Sequence, residues 1–213
     1  MIVLELFAGY RSISKAFEEK GHKTYSVEWN KEFENIDLYE DISKLTTDDI
    51  LKLCNGKPTV IWASFDCTTY SLAGISHHRK VENGKIVPVS EYAKFCDKVN
   101  KHVLDLIQEL QPKYWFIENP VGCLRKMDFM QNLPRYTITY CQYGDTRMKP
   151  TDIWTNYKKP NFKPKCKNGD PCHQRAPRGS RTGTQGLKNA KERSIIPKEF
   201  CEYIVKICEE GEK

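Results

Sequence analysis

No stretch of these 213 residues approaches the roughly 18 to 20 consecutive apolar positions that cross a bilayer, so no membrane-spanning helix and no membrane partner are expected. The opening MIVLELFAG lacks a basic leader and a small-residue cleavage site, and it reads as a buried strand rather than a secretory signal. A cytoplasmic protein follows as the expectation. Nine cysteines form neither an even set nor a regular spacing, which argues against a disulfide framework and for mostly reduced, buried thiols. No internal repeat is present. Acidic residues are scarce in one region: Tyr157 to Arg193 holds 11 Lys and Arg against 2 acids, a balance of +9 in a chain whose total is +6. A near-neutral body with a basic appendage suits a polyanionic partner.

With 39% hydrophobic and 29% charged residues, the chain can cover one α/β core but not two independent ones. Ile2 to Leu6 reads as a strand, Ser12 to Lys20 as a helix stopped by Gly21, and Lys23 to Val27 as a second strand, which completes a βαβ unit. A polar stretch before Asp41 has room for a short strand. Leu45 to Cys54 has helical spacing, and Thr59 to Ala63 is a β-branched run suited to a strand buried on both faces. From Glu91 to Leu110 the apolar positions recur at helical spacing until Pro112. Tyr114 to Ile117, Tyr136 to Cys141 and Asp152 to Thr155 read as later strands, and Lys198 to Glu209 as a final amphipathic helix. Asn161 to Gly186 has no sustained period and is expected to be loop.

In an open parallel sheet, ligands bind beyond the carboxyl ends of the strands. Gly9, Glu28, Asp41, Cys67 and Glu118 each fall at or just after such an end, so one rim should hold all five. Glu28 follows Gly9 by 19 residues, close to the spacing of an acid that holds the ribose of a nucleoside-containing ligand.

The motifs LELFAG, VEW, EDI, ASFDCTTYS, WFIENP and QYGDTRMKPTDIW, with RSIIP near the end, resemble those of the DNA cytosine-5 methyltransferases in that family's order. The resemblance implies a Rossmann-like S-adenosylmethionine-dependent fold, mostly parallel with helices on both faces. It places Phe7, Gly9 and Arg11 at the methyl donor, Glu28 on its ribose, Trp29, Asp41 and Ile42 around its adenine, and Ser194 near it from the last motif. Cys67 matches the nucleophile that adds to cytosine C6, Glu118 the residue that holds the base at N3 and its amine, and Arg147 or Lys149 the cation that steadies them. The implied reaction transfers methyl from S-adenosylmethionine to cytosine C5 in DNA through a covalent Cys67–C6 adduct.

Two departures touch this site. The family's second glycine is Arg11 here, which could point outward, pair with the donor's carboxylate, accept a more acidic donor or obstruct binding. Its Pro-Pro before the cysteine is Phe65-Asp66, and a carboxylate there disfavours the thiolate. Alternatives are therefore an altered donor or free-nucleotide substrate, and a catalytically silent DNA-binding homologue.

The target cytosine, in double- or single-stranded DNA, must be flipped out to be attacked. Gly74 to Val89 is expected to be a mobile loop over it, with His77, His78, Arg79 and Lys80 toward phosphates. Arg175, Arg178, Arg181 and Lys188 should contact the backbone. The expected organisation is a catalytic core at 1–156, a short basic recognition segment at 157–189, and a C-terminal part at 190–213 that packs back, all in a monomer. So compact a form resembles those of phages and mobile elements. Cys166, Cys172 and His173 offer three zinc ligands, but no fourth is in view and no metal is expected.

Overall fold

In the computed structural model, which describes residues 1–175 and 190–211, the apolar runs become strands of one seven-stranded sheet. In chain order the elements are β1 (Ile2–Leu6), α1 (Ser12–Glu18), β2 (Lys23–Glu28), β3 (Leu38–Tyr39), α2 (Thr47–Leu53), β4 (Val60–Ser64), α3 (Ile75–His78), β5 (Arg79–Glu82), β6 (Lys85–Pro88), α4 (Glu91–Leu110), β7 (Tyr114–Pro120), β8 (Arg135–Thr139), β9 (Pro150–Thr155), α5 (Ala190–Ser194) and α6 (Lys198–Glu210). The sheet order is β3-β2-β1-β4-β7-β9-β8. The first five are parallel, and β9 and β8 are antiparallel additions beyond β7.

Strand periodicity sorts the core into two layers, because successive side chains leave opposite faces. Leu4, Ile61, Ala63 and Ile117 join Val99, Val103 and Leu106 of α4 on one face. Val3, Val60, Trp62 and Phe116 meet Ile13 and Phe17 of α1 and Phe200 and Ile204 of α6 on the other. The Phe200 ring lies 4.9 Å from that of Tyr143 and 6.2 Å from that of Trp62, so truncating it to alanine would cost about 3–5 kcal/mol.

Local chemistry sets the helix ends. The Ser90 hydroxyl accepts the Ala93 N–H at 3.1 Å to start α4, and Gln111, left-handed at φ 45°, ends it before Pro112. At α1 no side chain of the capping position takes that role. Glu5, buried in β1, accepts the N–H groups of Ile13 at 3.2 Å and Ser14 at 2.7 Å instead. Burial outweighs those bonds and pushes its carboxyl up to about 6.

The segment after Cys67 departs from the expected mobile loop. It folds as α3 and a β5–β6 hairpin that turns at Asn83-Gly84, both at positive φ, as a two-residue hairpin turn requires. His78 holds Ser90 Oγ at 2.8 Å and its carbonyl accepts the Val89 N–H, which fastens the hairpin to the start of α4.

Candidate active site

The chain leaves β1 toward β2 on one side, while β4 lies on the other, so the carboxyl ends of β1 and β4 bound a crevice. The turn leaving β1 is strongly bent, with Phe7, Gly9 and Arg11 at φ 55°, 48° and 56°. Glu28, at the end of β2, closes this turn: one carboxylate oxygen accepts the Gly9 N–H at 3.1 Å and the other the Asn30 N–H at 3.0 Å. Next to it the Trp29 ring is 67% exposed, a large aromatic surface facing outward. Two residues past β3, Asp41 caps a 3-10 turn through the Ser43 N–H at 2.9 Å, and Ile42 is buried beneath it. Phe7 packs edge-on against Phe65, the residue that leads to the cysteine, with ring centres 5.8 Å apart.

Of the placements open to Arg11, the structure takes the outward one, with its guanidinium turned from this crevice. It runs along α1 to Glu18 at 2.5 Å and reaches Thr24 at 3.5 Å near the start of β2, the opposite end of the strands. Its backbone nonetheless holds the left-handed conformation natural to glycine, which costs a residue with a Cβ about 1–2 kcal/mol.

Cys67 and Glu118 are neighbours because β4 and β7 are. Ser64 is the register partner of Glu118, and three residues later the chain presents Cys67. Two further bonds hold the cysteine loop to that strand: the Phe65 N–H donates to the Glu118 carbonyl at 3.2 Å, and the Asn119 amide donates to the Phe65 carbonyl at 2.8 Å. The thiol of Cys67 is pushed up to about 11 by desolvation first, then by the negative charges of Asp66 and Glu118, against a lowering by Lys149. Asp66 itself is turned aside, accepting the Thr68 N–H at 2.6 Å and the Tyr92 hydroxyl at 2.5 Å. Glu118 is buried, and desolvation raises its carboxyl, opposed by Lys149 and by the Tyr140 hydroxyl, which donates to it at 2.9 Å.

Of the two candidate cations, Arg147 is already neutralised. Its guanidinium grips Asp145 through Nε at 3.0 Å and Nη2 at 2.6 Å. Lys149 is the one whose charge bears on both Cys67 and Glu118. Its ammonium lies 4.6 Å above the Tyr140 ring and donates to the Arg193 carbonyl at 2.7 Å, and burial lowers its pKa. Its φ of 30° is a strained value for lysine and fixes the direction of the side chain. Tyr140 was not singled out from the sequence. It stands at the end of β8 with no local motif, and only the β7–β9–β8 pairing brings it to Glu118.

The segment after the basic stretch returns to this rim. Lys191 pairs with Glu32 at 2.7 Å and lies over the Phe33 ring at 5.4 Å, while the Ile196 N–H reaches Ser12 Oγ at 3.4 Å. Ser194 is exposed here, its hydroxyl donating to the Lys191 carbonyl at 2.6 Å.

Arg79 is a correction to the sequence reading. It was expected on phosphates, yet it is 3% exposed, binds Asp97 through both terminal nitrogens at 3.1 and 2.8 Å, and stacks 4.1 Å above the Tyr70 ring. With Tyr70 donating to Asp97 at 2.6 Å and Asn100 to Tyr70 at 2.9 Å, it is a structural clamp between the cysteine loop and α4. Arg175 is exposed, with one long bond to the Gly169 carbonyl at 3.3 Å. Arg178, Arg181 and Lys188 lie outside the described residues.

Comparison with known proteins agrees with this architecture. The family described as C-5 cytosine-specific DNA methylase matches residues 1–144. A Frog virus 3 (isolate Goorha) protein described as a probable DNA (cytosine-5)-methyltransferase is 28% identical over 179 residues, covering 81% of this chain and 78% of that protein. Among solved structures, a prophage-encoded protein of E. coli described as a "putative DNA modification methyltransferase" superposes with a TM-score of 0.56 at 17% identity, over 75% of this chain and 47% of that one. The S. pombe Dnmt2 methyltransferase gives a TM-score of 0.48 at 14% identity, over 74% of this chain and 50% of that one. The chain thus spans about half the length of the solved structures it matches.

Proposed function

The chain belongs to the C-5 cytosine-specific DNA methylase family, and from that membership we propose that it methylates cytosine C5 in DNA with Cys67 as nucleophile and Glu118 as the group that holds the base. The observation that carries the assignment of roles is the β4–β7 register, which sets the Cys67 loop beside Glu118 and hydrogen-bonds it to that strand. The family's methyl donor is S-adenosylmethionine. The β1 and β2 ends fit it: Glu28 keeps a free lone pair on each oxygen for hydroxyls, Trp29 offers an exposed ring for a purine, and Gly9, at φ 48°, keeps side-chain bulk out of the turn. Phe7, Asp41, Ile42 and Ser194 complete the proposed cradle. Bound there, the donor supplies an electrophilic methyl group for C5.

The protein's own part begins with Cys67. Its thiolate forms a bond to C6 and the C5–C6 π pair becomes nucleophilic at C5, an activation that neutral cytosine lacks. Glu118, with its carboxyl raised by burial, suits a proton donor to N3 while its second oxygen accepts from the exocyclic amine. Lys149 supports the thiolate electrostatically, and Tyr140 fixes the carboxyl. After methylation the C5 proton is lost and the C6–S bond breaks, which returns Cys67 as thiolate. With the Arg11 guanidinium engaged by Glu18, the methionine end of the donor is left to backbone, which favours the ordinary donor over an acidic analogue.

The substrate reading extends to a flipped cytosine, bound by a monomer in which residues 1–156 form the core, 157–189 a basic clamp and 190–213 the return. A compact viral or prophage form suits the kind of relatives found. A DNA oligonucleotide carrying 5-fluorocytosine tests the chemistry, since fluorine cannot leave C5 as a proton does. A covalent protein–DNA band requiring S-adenosylmethionine and lost in Cys67→Ala is expected. Its absence on both single- and double-stranded DNA would sink the reading.

A further inference from the structure

Four metal-ligating side chains meet away from the catalytic rim. Cys141, Cys166, Cys172 and His173 place their ligand atoms all within 4.8 Å of one another. Three of them are close in sequence, and the fourth, Cys141, comes from the turn Tyr140–Tyr143 that follows β8, 25 residues before Cys166. Folding therefore supplies the ligand that the local spacing lacks.

We propose that these residues bind one zinc ion as a closed Cys3His site that fastens the start of the basic segment to the catalytic framework. For zinc–sulfur bonds of about 2.3 Å and a zinc–nitrogen bond of about 2.0–2.1 Å, tetrahedral geometry requires sulfur pairs about 3.8 Å apart and sulfur–nitrogen pairs about 3.6 Å apart. The sulfurs of Cys166 and Cys172 stand 3.7 Å and 3.6 Å from His173 Nδ1. Cys172 and Cys141 sulfurs stand 3.6 Å apart, while Cys141 and Cys166 at 3.0 Å must open by less than 1 Å. That last pair is also well short of bonding as a disulfide, whose sulfurs stand about 2.05 Å apart.

The surroundings are built for the site. The Cys166 N–H donates to Thr139 Oγ1 at 3.1 Å, and the Gln174 N–H donates to the Thr146 carbonyl at 2.8 Å, so backbone bonds brace the ligand segment on both sides. The turn between Cys166 and Cys172 is closed by the Lys167 N–H donating to Asp170 at 2.6 Å. Gln142 directs its amide at the Cys172 sulfur from 3.6 Å, the kind of outer donor that stabilises a ligating thiolate. Ligation through Nδ1 puts the ring proton of His173 on Nε2, which releases the long 3.4 Å contact from the Gly169 N–H. Binding converts three thiols to thiolates and releases their protons; no electron is transferred.

The consequence is mechanical. Cys141 directly follows Tyr140, whose hydroxyl holds Glu118, and residues 166–175 lie within the basic stretch. A metal here ties the nucleic-acid-facing appendage to the turn behind the catalytic carboxyl. The site rests on ligand geometry alone and is independent of the reaction assigned above.

Elemental analysis of the full chain, purified with zinc in the medium, tests the site. One zinc per chain is expected. It should be lost in Cys172→Ser, at an exposed ligand, and in His173→Ala, at a half-buried one, with far-ultraviolet circular dichroism unchanged in both, and retained in Cys67→Ser. Cobalt(II) exchanged into the site should show thiolate charge-transfer and tetrahedral d–d absorption, and hydrogen exchange on chelation should rise across residues 163–175 but not in β1, β4 or β7. Zinc-free protein after zinc incubation, zinc that survives both ligand substitutions, or a Cys141–Cys166 disulfide in reductively prepared protein would each overturn the proposal.

Discussion

The Tyr140 hydroxyl donates a 2.9 Å hydrogen bond to the Glu118 carboxylate, across two strand pairings and with both residues buried. That bond favours the charged carboxylate, while desolvation favours the neutral acid and dominates. Tyr140→Phe should therefore raise the Glu118 pKa further and move upward the break in the pH–kcat/KM profile that Glu118 sets, leaving the Cys67 break in place. Loss of a buried bond to a charged group should also lower stability by about 1.5–3 kcal/mol in urea unfolding. An unmoved profile would show that Glu118 is not the titrating group.

Cys67, with its pKa near 11, should react slowly with iodoacetamide, the rate rising about tenfold per pH unit beyond pH 9. Asp66→Asn removes the larger of the two unfavourable charges while keeping a partner for Tyr92. Alkylation of Cys67 at pH 8, followed by peptide mass spectrometry, should become several-fold faster. Equal rates in the two proteins would mean that the Asp66 charge does not set the thiol.

Glu5 makes a separate pH prediction. Its folded value of about 6 lies above the ordinary 4.5, so the folded protein holds the proton more tightly than the unfolded chain. Stability from this group is fully present below pH 4.5 and falls by about 2 kcal/mol as pH rises through 6. Glu5→Gln should flatten that part of the profile when urea midpoints are compared with wild type between pH 4.5 and 7.

Arg79 should matter for folding rather than for DNA. Arg79→Met leaves Asp97 charged and buried without its guanidinium and should cost about 3–5 kcal/mol, much of which Arg79→Met combined with Asp97→Leu recovers. The salt dependence of DNA binding, measured on whichever variant stays folded, should keep the wild-type slope. A slope reduced by one counterion would return Arg79 to the phosphate backbone.

The long elements were legible because their periodicity is strong. Glu91 to Leu110 forms a helix over the residues whose apolar spacing marks it, and the buried runs at 60–63 and 114–117 are central strands. The rim residues follow from the same pattern, since strand ends are where a parallel sheet offers side chains to a ligand. What escaped was pairing over distance. Arg79 looks like a surface cation until Asp97, 18 residues on, is brought to it. The Asn83-Gly84 turn was present in the sequence, but the segment read as a mobile loop because the flanking alternation at Val81, Ile86 and Val87 is short. Arg147 and Lys149 are equivalent by spacing, and only the bidentate grip of Asp145 separates them. Cys141 shows no link to Cys166 until the strand that precedes it is placed.

Glu118 is held in two ladders at once, opposite Ser64 on β4 and opposite Ile153 on β9. In a strand, adding or removing one residue turns every later side chain to the other face. Length, more than composition, is then what β7 cannot vary: a single inserted residue between Tyr114 and Glu118 would send the carboxyl into the opposite layer, whereas the connection between β7 and β8 can gain or lose residues without moving it. Across relatives of this chain, insertions should accumulate outside this strand and be absent within it.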